Sequence, residues 1–199
     1  KKFPYKFISN GIFGYIAHDA VRYFEQLKLD QNKPGQGIPD IYYAVYQNII
    51  AISLFNHEAH LFSHSLDGEH NIEHIEQLIN GKKQPNFGFK KTGDKRSNLT
   101  DDQFLEFVHK GKQHCHRGDV FQLVLSRRFS QRFKGDEFNV YRTLRSINPS
   151  PYLFYFDYGD FKIFGSSPEA QLIVQEGKAE IHTIAGTFKR TWDDEQDAA

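Results

Sequence analysis

Three segments carry apolar residues at the three- and four-residue spacing of a helix face. The first ends at Gly81 and the second at Gly118, and glycine is a common residue just past a helix end. Thr100 and Gln103 form a capping box before the second segment, and Asp136 is placed to cap the third. The apolar positions are Ile72, Ile75, Leu78 and Ile79, then Phe104, Phe107, Val108, Gly111 and Cys115, then Val140, Leu144 and Ile147.

Runs of β-branched and aromatic residues between turn signals predict the strands. Tyr-Gly-Asp at 158–160 and Glu-Gly at 176–177 predict two hairpins. Residues 120–129 are apolar enough to predict a strand covered on both faces. The other predicted strands are 11–18, 41–46, 49–55 and 60–62, with a turn at Asn48, then 152–156, 161–164, 170–175 and 179–184.

Hairpins that alternate with helices predict an α+β fold, with antiparallel sheets and packed helices. Residues 82–98 are rich in Lys, Gly, Pro and Asn without periodicity, so we interpret them as a loop or linker between 1–81 and 99–199. The chain contains no Met, and its last residues, TWDDEQDAA, resemble the opening of a helix. We therefore expect that it is truncated at both ends.

Composition excludes several classes of function. The 25 basic and 25 acidic residues cancel, which argues against nucleic acid as a partner. No apolar run approaches the roughly 20 residues of a membrane span, and no signal peptide is recognisable. The single cysteine, Cys115, fits a reducing cytoplasm, and its spacing predicts buried packing.

The candidate chemistry is sparse when the residues are taken alone. Ten histidines are present, but none lies in a zinc-binding motif, so a solvated surface is the favoured interpretation. Glu169 follows Ser-Ser-Pro between two apolar strands, where partial burial would raise its pKa enough for general-acid catalysis. An exposed turn glutamate remains the favoured alternative. Gly186 and Thr187 offer a backbone N–H and a hydroxyl to an anionic oxygen, or simply close a strand.

Several motifs, in order along the chain, resemble those of the chorismate-utilising enzymes, which include anthranilate, aminodeoxychorismate, isochorismate and salicylate synthases. The resemblance is weakest over residues 27–96. Its motifs are GIFGYIAHDAVRYFE (11–25), SNLTDDQFLEFVHKGKQHCHRGDVFQLVLSRRF (97–129), NPSPYLFYFDYGDF (148–161), GSSPEA (165–170) and IAGTFKR (184–190).

The resemblance implies chorismate as substrate and an incomplete fold of this family. Residues 1–81 would be the remainder of a regulatory-type lobe, and 99–199 the first part of the catalytic domain. Glu169 would protonate the departing C4 hydroxyl, while Gly186 and Thr187 would bind the carboxylate region of the substrate. The family's magnesium ligands and catalytic histidine are expected beyond residue 199, so His182 is interpreted as a strand residue.

Two positions discriminate within the family. Members that add water at C2 carry a lysine base where this chain has Gln122, and aminodeoxychorismate synthases commonly carry a nucleophilic lysine where it has Ala185. The resemblance thus implies ammonia as nucleophile, supplied by a glutaminase subunit (component II), and anthranilate as product. Aminodeoxychorismate synthesis and a non-catalytic tryptophan-sensing module remain the alternatives.

The NPSPYL segment resembles one half of a tryptophan feedback pocket. Its two prolines give a stiff approach that loses little entropy on binding. The resemblance implies tryptophan as a possible feedback inhibitor, although the segment also fits a simple helix stop before a strand. The residues are Asn148, Pro149, Ser150, Pro151, Tyr152 and Leu153.

Overall fold

The computed structural model describes residues 9–27, 37–81, 87–182 and 189–197. It contains strands that pair two by two and helices between the pairs. The strands are β1 Ile12–Ile16, β2 Ile41–Val45, β3 Asn48–Ser53, β4 Glu58–Ser63, β5 Phe89–Ser97, β6 Phe129–Gly135, β7 Tyr152–Asp157, β8 Lys162–Ser167, β9 Ile173–Gln175 and β10 Lys178–Glu180. The helices are α1 Ile72–Asn80, α2 Asp101–Arg117, α3 Phe138–Ile147 and α4 Asp194–Asp197, with a 3-10 turn at His18–Tyr23.

The predicted α+β class with antiparallel sheet is confirmed. The pairs β1–β2, β3–β4, β5–β6 and β9–β10 are antiparallel. The pair β7–β8 is joined by residues 158–161 alone. A connection this short permits only an antiparallel hairpin, because a parallel crossover needs a dozen or more residues.

The chain divides into two compact units, the first of which comprises residues 1–85 and 156–163. Its rings form an aromatic cluster around Tyr158. The ring centre of Tyr42 lies 4.4 Å from that of Tyr158, and the ring centre of Tyr15 lies 5.7 Å from it. Burial raises the pKa of the Tyr158 phenol, and the neighbouring tyrosines add to the effect. Gly14 faces the opposite strand so closely that a Cβ would stand 1.9 Å from the carbonyl oxygen of Tyr42. This close approach explains why glycine occupies the middle of β1.

The second unit comprises residues 86–155 and 164–199. Its longest helix, α2, has the predicted capping box: Thr100 Oγ1 accepts from the Gln103 N–H at 3.2 Å, and Gln103 Oε1 accepts from the Thr100 N–H at 2.9 Å. The helix ends at Gly118, whose φ of 79° is left-handed and costs glycine little. The local signals for this helix are therefore confirmed at both ends.

Helix α3 packs through aromatic rings on the β7–β8 hairpin. Phe138 meets Tyr155 edge to face at 5.0 Å, and Tyr155 stacks on Phe164 at 5.6 Å. Tyr141 joins them, 5.3 Å from Tyr155. The predicted cap is one residue away: Glu137 holds the N-cap position without a side-chain hydrogen bond, while the Asp136 side chain accepts from the Phe138 N–H at 2.9 Å. We call these four rings the hairpin aromatic cluster.

Two predictions about secondary structure are wrong. Residues 120–128 form no strand, and pairing begins only at Phe129, because no described strand lies beside them to accept their hydrogen bonds. Conversely, residues 89–97 of the predicted loop form β5, whose side chains are mostly exposed. Period-two hydrophobicity marks a strand only when one face is buried, so this one left no apolar signal. The domain limits built around 82–98 stay a prediction.

Smaller corrections concern individual residues. Asn48 does not make a turn but begins β3, opposite Ser63. His182 lies beyond the end of β10 and 3.6 Å from Glu180, so it is not a strand residue. Gly81 does end α1 as predicted, although its backbone is extended (φ −63°, ψ 124°) rather than left-handed.

Burial is slight throughout the described residues. Among them, Ala20 is the only apolar residue that is buried, while Phe55 and Phe121 are fully exposed. No helix in the described ranges is both long and apolar enough to cross a membrane.

Candidate functional site

Glu169 stands two residues beyond the end of β8, in the turn that leads toward β9. The Ser167 hydroxyl fixes the backbone there, since its Oγ accepts from the Glu169 N–H and donates to the Glu169 carbonyl, both at 3.2 Å. The residue itself is exposed. The strand-end position matches the prediction, but the partial burial expected of a general acid is not present. Any such burial has to come from groups outside the described surroundings.

The GSSPEA and NPSPYL segments meet through one hydrogen bond. Ser166 Oγ donates to the carbonyl oxygen of Asn148 at 2.7 Å. Asn148 also ends α3, with its N–H bonded to Leu144 O at 2.9 Å. The helix stop, the proposed feedback segment and the strand before Glu169 are consequently held together, which two distant motifs could not reveal by themselves.

Within NPSPYL, exposure differs from residue to residue. Ser150 and Leu153 are half-buried, whereas Pro149, Pro151 and Tyr152 are exposed. The structure therefore places the segment at the surface of the second unit, where it runs from the end of α3 into β7.

The glycine that opens GSSPEA, Gly165, faces an aromatic ring on the neighbouring strand. A Cβ at this position would lie 2.7 Å from the ring of Phe154 on the neighbouring strand. Contacts under 3.0 Å require something to move, so the missing side chain is what lets the Phe154 ring come this close to β8. The glycine here serves packing across the hairpin.

Gln122 lies on the exposed irregular segment 120–128 and is itself exposed. The far end of that segment is well anchored. Arg127 Nε donates to Ser97 Oγ at 2.8 Å, and Arg127 NH1 forms an ion pair with Asp101 at 2.6 Å. The Arg128 N–H donates to Asn98 Oδ1 at 2.9 Å. The structure thus fixes the exit of the segment, and no hydrogen bond or ion pair joins Gln122 to Glu169 in the described part of the chain.

Ala185, Gly186 and Thr187 lie outside the described residues. The structure therefore does not test whether this turn meets Glu169. Their roles stay predictions, as do those of Glu169 and Gln122.

A groove between α2 and residues 123–125 escaped the sequence analysis. It is lined by Val108, Gly111, Cys115, Leu123 and Leu125, together with neighbouring side chains. Cys115 is exposed there, which corrects its predicted burial. A Cβ on Gly111 would lie 3.6 Å from both leucines, an ordinary van der Waals distance, so the segment packs beside this position without requiring a glycine there. A glycine inside an amphipathic helix was the available signal, because it commonly marks a close packing contact.

The described residues do not fit a magnesium site. Nowhere in the described ranges do three His, Cys, Asp or Glu side chains converge as a metal-binding group. Mg²⁺ prefers several oxygen ligands, usually carboxylates and waters.

The chain as a whole matches a known class of protein. The chain matches the family of chorismate binding enzymes over residues 2–199, and so it belongs to that family. Similar proteins include anthranilate synthase component 1 of Aquifex aeolicus, 34% identical over 94% of this chain and 40% of that protein. A probable anthranilate synthase component 1 of Schizosaccharomyces pombe is 30% identical over 96% of this chain and 42% of that protein.

A solved structure supports the same fold. The crystal structure of anthranilate synthase component I from Streptococcus pneumoniae aligns with a TM-score of 0.66 and 27% identity, covering 90% of this chain and 42% of that one. The chain therefore spans about two fifths of the length of the relatives it matches.

Proposed function

We propose that this chain is part of an enzyme that converts chorismate to anthranilate. The observation that carries the proposal is the position of Glu169 in a chorismate-binding chain: an exposed carboxyl at the end of β8, with its backbone held by Ser167. Its relatives include proteins named anthranilate synthase component 1. Because the chain spans only 40–42% of the first two of these relatives, the activity is proposed for a longer polypeptide that contains it.

The proposed chemistry begins with acid catalysis by Glu169. Its carboxyl donates a proton to the C4 oxygen of chorismate, which leaves as water while ammonia adds at C2. Pyruvate is then eliminated from the aminated intermediate and anthranilate remains. A carboxyl that is protonated at neutral pH needs a raised pKa, which burial in a closed site supplies. We infer that the rest of the polypeptide and the bound substrate cover Glu169.

Residue types at two other positions support ammonia as the nucleophile. Gln122 has no basic group that could activate water for attack at C2. Ala185 has no amine with which to form a covalent intermediate, as the lysine of an aminodeoxychorismate synthase would. Gly186 and Thr187 are proposed to hold the substrate carboxylate.

The remaining parts of the proposal follow from the same family. A glutaminase subunit would supply ammonia, and Mg²⁺ would bind through residues outside the described ranges. Tryptophan would bind at the NPSPYL segment as a feedback inhibitor. We place the enzyme in the cytoplasm, as part of amino-acid biosynthesis.

The decisive experiment measures anthranilate fluorescence in the full-length protein with chorismate, ammonium and Mg²⁺. Glu169→Gln keeps the shape of the side chain but removes the proton donor, so kcat should fall by about 10²–10⁴-fold. Glu176→Gln, at the exposed turn between β9 and β10, is the matched control and should leave kcat unchanged.

Three results would contradict the proposal. Normal turnover by Glu169→Gln would remove its assigned role. Formation of aminodeoxychorismate, which gives no anthranilate and yields 4-aminobenzoate only after a separate lyase is added, would favour the aminodeoxychorismate synthase alternative. A full-length protein that binds tryptophan but never consumes chorismate would instead be the non-catalytic sensing module.

A further inference from the structure

The antiparallel ribbon of β5 and β6 concentrates positive charge in an otherwise neutral chain. The two strands carry six basic residues and one acidic residue, a formal charge of +5, while the whole chain sums to +0. The composition by itself concealed this separation of charge.

The pairing register places four of the basic residues on one face of the ribbon. Residues directly opposite each other share a face, and alternate residues along a strand share it too. Positions 130, 132 and 134 of β6 are therefore on the same face as their partners in β5. We call Lys90, Arg96, Arg132 and Lys134 the basic face. The pairs on this side are Lys90–Lys134, Thr92–Arg132 and Arg96–Ser130.

The four side chains of the basic face are exposed, and none of them forms an ion pair with a carboxylate of the described residues. Nearby cations differ in this respect. Arg127 is paired with Asp101 at 2.6 Å, and Lys95 lies 4.2 Å from the centre of the Phe129 ring. The fold therefore uses the flanking cations internally and leaves those of the basic face available.

One pair on this face opposes folding. Lys90 and Lys134 stand directly across from each other, and like charges in this position destabilise a sheet. The other side of the ribbon is different, because there Phe89 stacks on Phe133 at 5.3 Å. Packing within the ribbon thus explains the aromatic side, but it does not explain two lysines in register. Bound anions would remove their repulsion.

We propose that the basic face is a docking surface for a second protein that presents a cluster of carboxylates. Lys90 and Arg96 are six residue steps apart along β5, at most about 20 Å because the register is irregular between Thr92 and Arg96, which suits a few partner carboxylates. Non-specific binding to nucleic acid, by contrast, commonly rests on about 6–10 phosphate contacts and a generally positive protein. The chain has as many acidic as basic residues, so complementarity favours an acidic protein surface. The inference is independent of the chorismate chemistry proposed above.

The test uses fluorescence anisotropy of a labelled poly-L-glutamate peptide titrated with the full-length protein at low salt. We expect binding, with the Kd raised about tenfold in Arg132→Gln/Lys134→Gln, since roughly 1.4 kcal/mol of attraction is removed. Lys110→Gln/Lys178→Gln removes two exposed positive charges elsewhere and is the matched control, for which the Kd should stay within about twofold.

A second variant separates binding from folding. Lys134→Glu places a negative charge directly opposite Lys90, so the protein should unfold at the same or a higher urea concentration. Its affinity for the peptide should fall further than that of Arg132→Gln/Lys134→Gln. The proposal is overturned if the peptide does not bind, or if the control pair weakens binding as much as the ribbon pair. It is also overturned if duplex DNA binds more tightly than poly-L-glutamate, which would identify a nucleic-acid surface instead.

Discussion

Two regions of the second unit contain apolar side chains and bury them to different extents. In the hairpin aromatic cluster, ring centres from α3 and β8 lie 5.0–5.6 Å from that of Tyr155 on β7. In the groove region, α2 faces residues 123–125, but Phe121 is fully exposed and Val124 is 85% exposed. In the first region, three consecutive elements cover one another's apolar side chains. In the second region, much of the apolar surface stays exposed to solvent.

The difference teaches where this chain depends on additional protein. Consecutive elements joined by short connections bring their apolar faces together without help, which is why α3 and its hairpin pack locally. A strand buried on both faces needs neighbours on each side, and residues 120–128 have none among the described residues. Glu169 follows the self-sufficient region and Gln122 lies in the dependent one, so the proposed site combines both.

The largest expected effect is on catalysis by the chain alone, in which the groove region is uncovered. We expect the 199-residue chain alone to form no detectable anthranilate from chorismate, ammonium and Mg²⁺, because Gln122 and Glu169 are both exposed in it. The full-length protein, assayed by the same fluorescence, provides the positive control. Product formation by the isolated chain would show that the open region needs no further cover.

The next effect compares the two regions by truncating one ring in each. Tyr155→Ala removes the centre of the hairpin aromatic cluster and should lower the free energy of unfolding of the chain by about 2–3 kcal/mol, since the ring is only partly buried. Phe121→Ala removes an exposed ring and should change that energy by less than about 0.5 kcal/mol. Urea denaturation measures both. Equal losses would mean that the groove region is packed as tightly as the hairpin.

The smallest effect sharpens the account of the hairpin itself. Gly165→Ala brings a methyl group within 2.7 Å of the Phe154 ring, and the forced rearrangement should cost about 1–3 kcal/mol in the same denaturation experiment. Gly165→Ala combined with Phe154→Leu should recover part of that loss, because the smaller side chain makes room. If the double variant is no more stable than Gly165→Ala, the ring contact is not the reason for the glycine.

Much of the fold could be predicted, because its signals are local. The capping box of Thr100 and Gln103, the end of α2 at Gly118 and the hairpin around residues 158–160 depend on residues a few positions apart. The site was less predictable. Whether Glu169 is buried and whether Gln122 approaches it depend on contacts between elements far apart in sequence, and neither motif contains that information.

The sequence by itself determined the family, the α+β class and the residue types at the proposed site, since motifs, helix caps and turns are written in short stretches of chain. Only the tertiary structure decided that Cys115 lines an open groove and that Ser166 bonds GSSPEA to NPSPYL. It also decided that Lys90 and Lys134 pair across the two strands. The physical reason is that exposure, a contact between segments and strand register arise from packing across the fold. Each depends on which surfaces of the protein meet, and no local pattern encodes that choice.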